Sequence, residues 1–193
     1  MKIAAIVGSI RKESYNRQLA LCAKEIIMRS GGNFEILEYS DVPFFSQDSE
    51  VPAPDSVTRV RKQIQEADGI WFFTPEYNHF FPGVLKNLLD WLSRPVENID
   101  GSVLAGKPAA ISGITLGMAG TALAQDHLVT LLSFLNTDIM NAPRLTIPNA
   151  KSQLDGNGEL KLRASYPYLE KQANDFLEFI GQRKNSLTSK PLN

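Results

Sequence analysis

The chain has 193 residues, 43% of them hydrophobic and 21% charged, with a formal net charge of -1. That length buries a sizeable core in one domain without disulfides or metals, and a near-neutral chain lacks the basic excess of a nucleic-acid binder. The single cysteine, Cys22, excludes an internal disulfide and suits a reducing, cytoplasmic setting. No apolar run approaches the roughly 18 residues of a membrane span, and the short run after Lys2 is too brief for a signal-peptide core.

Ile3 to Val7 is unbroken apolar sequence, which predicts a strand covered on both faces. A polar turn, VGSIRKESYN (Val7 to Asn16), leads into a helix over 14–29, with Leu19, Cys22, Ala23, Ile26 and Ile27 at helical spacing and Gly31-Gly32 as its stop. A second strand is expected over 34–39, followed by a loop over 41–54 with three prolines and two adjacent phenylalanines. Residues 55–67 read as a helix and 70–74 as a third strand. After TPEYNHFFPG comes a helix over 84–94, whose apolar arc is wider than a surface helix needs. A fourth strand is expected over 108–112 and a helix over 121–135. Residues 138–147 contain a fifth strand interrupted by Pro143. The turn DGNG precedes a closing helix over 159–182, and residues 184–193 read as a loose tail to a single domain over 1–183.

Strands alternating with helices imply an α/β fold, a five-stranded parallel sheet with helices on both faces. Length and strand number favour the flavodoxin-like order 2-1-3-4-5 over a six-stranded dinucleotide fold. Ligands in such sheets sit outside the carboxyl ends of the strands at the topological switch point. The loops that matter are therefore 8–16, 75–78 and 112–120.

The first loop leads to a helix N-terminus, where free N–H groups and the helix dipole favour an anion. Ser9, Ser14 and Asn16 offer side-chain donors and Arg11 a fork of charge-assisted ones. Neither GxGxxG nor GxxxxGK[ST] is present. Gly8 is the only glycine of the turn, so side-chain hydroxyls must do the wrapping, which suits one terminal phosphate better than a pyrophosphate. Ser14 as an ordinary N-cap and Arg11 as a solvated side chain would account for the same residues without a ligand. In the second loop a proline-stiffened turn leaves backbone groups to bond the edge of a flat heterocycle, with Tyr77 as a wall. The third, SGITLGMAG, carries Gly113, Gly117 and Gly120, which permit close approach.

Other chemistries find no motif: there is no GxSxG, CxxC or HExxH, and His79 and His127 are isolated. A phospho-receiver needs acidic residues where this chain has Gly8-Ser9 and Thr74-Pro75. Taken together, GSIRKESYN, TPEYNHFFPGVLKNLLDWLSR and the SG…G…AQDHL stretch resemble the NADPH-dependent FMN reductase family of flavodoxin-like quinone, azo-dye and chromate reductases. The resemblance implies that Ser9, Arg11, Ser14 and Asn16 hold the FMN phosphate. It implies that Pro75, Glu76, Tyr77 and Asn78 line the ribityl chain and isoalloxazine, largely through backbone, and that Ser112 and Gly113 approach the flavin. The implied activity passes hydride from NADPH, or NADH, through the flavin to a small-molecule acceptor such as a quinone, azo compound, metal oxyanion or flavin. No side chain is an obligatory catalyst, and no nucleic acid or membrane partner is expected. The family's dimers or tetramers would account for the broad apolar arc over 84–92. The alternative is a flavodoxin-type electron carrier or flavin-binding regulatory protein; an electron carrier would dock partners through an acidic face, which a net charge of -1 does not favour.

Overall fold

The computed structural model describes residues 1–97, 99 and 101–188. Strand β1 (Lys2–Val7) is buried along nearly its whole length, as its apolar run requires. It lies between β2 (Asn33–Ile36) and β3 (Gly69–Phe73), and β3 pairs in turn with β4 (Pro108–Ile114), all parallel, in the order β2-β1-β3-β4. The expected fifth strand is two short ones on one edge. β5 (Asp138–Ile139) pairs with Pro108 and Ala109, and β6 (Leu145–Ile147) with Ser112 to Ile114. Pro143 lies between them and has no N–H to offer a ladder, so the edge breaks there and resumes.

Helices α1 (Tyr15–Arg29) and α5 (Tyr166–Thr188) cover one face of the sheet, packing Leu19, Ala23, Ile27, Phe176 and Ile180 on Trp71 and Phe73. Helices α2 (Asp55–Glu66), α3 (Gly83–Leu92) and α4 (Ala122–Phe134) cover the other, packing Ile64, Leu85, Leu88 and Leu128 on Ile6, Phe72 and Ile111. A parallel sheet buried on both faces follows directly.

Three expectations need correction. The closing helix begins at Tyr166, not near Glu159. Asp155 accepts the N–H groups of Asn157 (2.8 Å) and Glu159 (3.0 Å) in a turn closed by a Leu154–Leu160 bridge. Leu162 and Arg163 then adopt positive φ, which no α-helix continues through. The helix also runs on to Thr188, so residues 184–188 are helical rather than a tail; 189–193 lie outside the described residues. Finally, the broad apolar arc of α3 is covered within the chain. Pro43 accepts from Trp91 Nε1 (2.8 Å), and Phe45 packs edge-on to Trp91, so the 41–54 loop lies over the helix.

Tyr39 closes the β2 edge. Its buried hydroxyl donates to the Val7 carbonyl at 2.6 Å, and burial, reinforced by Glu38, pushes the phenol well above its usual range. A phenol whose folded pKa is raised stabilises the fold below its unfolded value, about 10, and loses that contribution as pH climbs past it. Urea unfolding of Tyr39→Phe should show a loss of about 1 kcal/mol at pH 7 and a shallower fall in stability above about pH 10 than the unaltered protein.

Candidate functional site

The carboxyl ends of β1, β3 and β4 deliver three loops to one cleft of about 210 Å³, lined by Ser9, Arg11, Ser14, Tyr15, Asn16, Pro75, Tyr77, Ile114, Thr115 and Leu116. A more open cavity of about 530 Å³ adjoins it, sharing Ser9, Arg11 and Tyr77.

In the first loop, Gly8 N–H extends the β1–β3 ladder to the Phe73 carbonyl (2.8 Å) before the chain turns. Ser14 is the N-cap of α1: extended in φ/ψ, buried, and accepting the Arg17 N–H at 3.3 Å. Its own hydroxyl proton has no acceptor among the described residues, nor have the N–H groups of Tyr15 and Asn16. These donors open on the cleft at the positive end of a four-turn helix. Arg11 lies at the rim, its guanidinium 5.1 Å from the Tyr15 ring centroid and without a carboxylate partner among the described residues. The donor set is the kind a phosphate monoester needs.

Asn16 does something different from what its sequence position suggests. Its side chain is buried and grips both backbone groups of Ile114: Nδ2 donates to the carbonyl (2.9 Å), and Oδ1 accepts the N–H (3.0 Å). It ties the first loop to the end of β4, leaving its backbone N–H, rather than its amide, to face the cleft.

The second loop is a two-residue hairpin. Tyr77 and Phe80 exchange both backbone hydrogen bonds (2.9 and 3.0 Å), while Asn78 and His79 take the positive φ values of a tight hairpin turn. Pro75 and Tyr77 wall the cleft; Asn78, at the exposed tip, does not reach it. The largely buried Glu76 carboxylate accepts the Ala124 N–H at 3.0 Å and so caps α4, whose own N-cap Thr121 supplies no side-chain bond. A negative group at a helix start is doubly favoured, by hydrogen bond and by dipole.

Ser112 and Gly113 do not approach the cleft; this corrects the expectation for the third loop. Both lie inside β4, which runs two residues further than its apolar pattern suggests. Ser112 is fully buried, accepting from Trp71 Nε1 (2.8 Å) and donating to Gln172 Oε1 (2.6 Å). Gly113 is squeezed from both sides: a Cβ there would sit 2.2 Å from Thr121 Oγ1 and 2.4 Å from the Thr74 carbonyl. The cleft is reached instead by Ile114, Thr115 and Leu116, with Thr115 held by Ile147 and Ala150 (3.1 and 2.9 Å). Sequence reasoning missed Tyr15, Thr115 and Leu116; the signal for Tyr15 was its place directly after the cap, and the last two carry none.

A doubly wound parallel sheet with uncommitted donors at the start of α1 and an aromatic-walled cleft at the switch point defines a flavodoxin-like protein. The chain belongs to the NADPH-dependent FMN reductase family, whose sequence profile matches residues 1–152. It is 38% identical over 184 residues to a 2-hydroxy-1,4-benzoquinone reductase of Burkholderia sp, covering 95% of this chain and 98% of the relative. It is 40% identical over 161 residues to an NAD(P)H-dependent FMN reductase of Pseudomonas aeruginosa, covering 83% and 84%. Among solved structures, the flavoenzyme NAD(P)H:(acceptor) oxidoreductase FerB of Paracoccus denitrificans superposes with a TM-score of 0.84 at 31% identity, over 94% of this chain and 98% of that one. A Bacillus cereus flavodoxin, at 16% identity and a TM-score of 0.57 over 92% and 98%, shares the fold.

Three substitutions test this geometry. Gly113→Ala should destabilise by about 3 kcal/mol or more, because neither neighbouring backbone nor Thr121 has room to yield. Glu76→Ala should cost about 1 kcal/mol through the lost cap, whereas Glu76→Gln should retain most of it. Chemical denaturation of the three variants reads these differences.

Proposed function

We propose that the chain is an NAD(P)H-dependent FMN oxidoreductase acting on quinone-like acceptors, and that the cleft between the three loops is its flavin site. The observation that carries this is a set of uncommitted donors — the Ser14 hydroxyl, the Tyr15 and Asn16 N–H groups and the Arg11 guanidinium — in residues that line one cleft together with Pro75, Tyr77, Ile114 and Leu116. FMN, when bound, would supply the hydride chemistry between a nicotinamide and an acceptor. The chain's own residues bind and orient. Ser9, Ser14 and Arg11 would bond the phosphate, and Pro75, Tyr77, Thr115 and Leu116 would hold the heterocycle. The rim is apolar rather than acidic, with Ile10, Phe44, Tyr77 and Leu116 exposed, which suits a flat hydrophobic acceptor better than the charged docking face of an electron carrier.

The same reading extends to assembly. Phe80 stacks on His127 at 4.4 Å, and Leu123 and Phe134 stand exposed on α4, making an apolar strip beside the site that a second copy would cover. The lone free Cys22 and the nicotinamide chemistry fit a cytoplasmic enzyme, and no helix among the described residues is long and apolar enough to cross a membrane.

An anaerobic absorption spectrum with FMN, taken before and after NADPH, tests the activity: the flavin should bleach and recover its colour on adding a quinone. Flavin that stays oxidised would point to a carrier. Arg11→Ala and Ser9→Ala should each weaken FMN binding about 10-fold or more, as loss of a charge-assisted bond implies; unchanged affinity in both sinks the phosphate assignment. Sedimentation at micromolar concentration should show an oligomer that Phe134→Glu dissociates.

A further inference from the structure

The open cavity of about 530 Å³ beside the flavin cleft has a side pocket of about 250 Å³. Ile10, Phe44 and Val84 line both spaces, and the open cavity shares Tyr77 with the flavin cleft, so the three are continuous. Beyond those shared residues the side pocket is made by Tyr39, Val42 and Pro43, with Ser40 and Asn87 as its other polar members. No residue that lines it is charged. Its polar atoms are also largely spent. The Tyr39 hydroxyl donates to the Val7 carbonyl (2.6 Å), while Asn87 accepts the Phe45 N–H (2.8 Å) and donates to the Pro43 carbonyl (2.9 Å). A phosphate or carboxylate would meet no cation here, whereas a hydrocarbon could leave water without stranding a polar group.

The walls are fixed before anything enters. The two bonds of Asn87, on α3, hold residues 43–45 against that helix, and Trp91 Nε1 adds a third on the Pro43 carbonyl (2.8 Å). Phe45 packs edge-on to Trp91 behind. On that pinned backbone Phe44 is 89% exposed, and Ile10, from the first loop, is 63% exposed. Large apolar side chains left singly in water are ordinary. Two of them, from different loops, lining one uncharged pocket that opens toward a reaction site are the setting of an apolar ligand.

We propose that this side pocket takes the apolar substituent of the acceptor, and that the enzyme therefore prefers alkyl- or prenyl-substituted quinones to the bare ring. The inference rests on the reductase reading and narrows its substrate. The quinone ring stays at the flavin cleft, where it gains a hydride equivalent drawn from the nicotinamide and one proton from water, and leaves as the hydroquinone. Its substituent lies along the open cavity past Tyr77 and enters between Phe44 and Val84, where it contributes binding alone. Phe44 and Val84 are thus specificity-determining residues that touch no reacting atom.

The series methyl-, propyl- and pentyl-1,4-benzoquinone tests the pocket, because ring electronics change little along it. In a half-open pocket each added methylene should raise kcat/KM about twofold, so pentyl should exceed methyl about tenfold. Val84→Phe, at the second position of α3, fills the pocket, and Phe44→Ala removes a wall. Each should flatten the series to within about twofold with FMN affinity unchanged, and Val84→Phe should leave the methyl-quinone value as it was. Calorimetric titration of the FMN-loaded protein with resorcinol and 4-pentylresorcinol, ring diols that are not electron acceptors, reads the binding step without turnover. The pentyl compound should bind about tenfold tighter or more, and Val84→Phe should erase the difference. Equal values along the alkyl series, or a gain with chain length that survives both substitutions, overturns the proposal. If NADPH leaves the flavin oxidised while the pentyl gain in binding and its loss in Val84→Phe persist, the reductase reading fails and the apolar pocket stands. If Phe44→Ala dissociates an oligomer and leaves the alkyl series unchanged, Phe44 belongs to an interface between copies, and the pocket assignment fails.

Discussion

The side-chain amide of Asn16 holds both backbone groups of Ile114, and the site depends on that pair of bonds. Ile114 is the last residue of β4, one face of its backbone pairing with β6 and the other with Asn16. The amide thus acts as one residue of an extra strand, and it joins the start of α1 to the point where the third loop leaves the sheet. Each bond contributes on the order of 1 kcal/mol net, but the pair is buried, so removing the amide would strand an N–H and a carbonyl as well. With the clamp in place, the donors at the start of α1 and the wall at Thr115 and Leu116 are held at a constant separation. A preorganised site of this kind binds a cofactor without first ordering its own loops.

Glu76 extends the same logic to the second loop. Its carboxylate reaches across to the first turn of α4, which has no cap of its own, so the hairpin bearing Tyr77 is attached to a helix as well as to β3. Thr74 is buried beneath, its hydroxyl on the Pro75 carbonyl at 2.8 Å. The first two loops around the cleft therefore each have one polar side chain turned inward to fasten them, Asn16 for the first and Glu76 for the second. The third is fastened by backbone bonds from Thr115 and Gly117 to the segment after β6. Rigid supports of this sort hold the loops on which Ser9, Arg11 and Tyr77 line the cleft.

Behind the site, the chain Trp71–Ser112–Gln172 runs from the sheet to α5, and Gln172 finishes it on the carbonyls of Ile111 and Pro143 (2.9 and 3.0 Å). Every member is buried and partnered, the condition under which a polar network inside a core specifies one packing arrangement instead of weakening it. It also sets the two short edge strands beside β4, because Pro143, the residue that divides them, is one of its acceptors.

Local sequence determined a good deal. The apolar runs of β1 and β3 required burial on both faces, and the helical spacing of α1 with Ser14 before it marked a capped start whose donors face the switch point. The alternation of strands and helices then led to the sheet order, and Ser9, Arg11, Ser14 and Tyr77 to the cleft. What the sequence could not display was any side chain whose partner is distant in the chain. Ser112 and Gly113 read as the point where the fourth strand gives way to a loop, yet a strand, a tryptophan and a glutamine far along the chain place them inside the core. The wide arc of α3 looked like a surface between copies because the loop that covers it is itself irregular and apolar. Asn16 and Glu76 looked like ligand contacts, and tertiary structure turned their side chains into fasteners, since a buried amide or carboxylate must find its bonds wherever the fold leaves backbone groups open. Periodicity is a property of neighbours along the chain; the pairing of polar groups is decided by which segments meet in space.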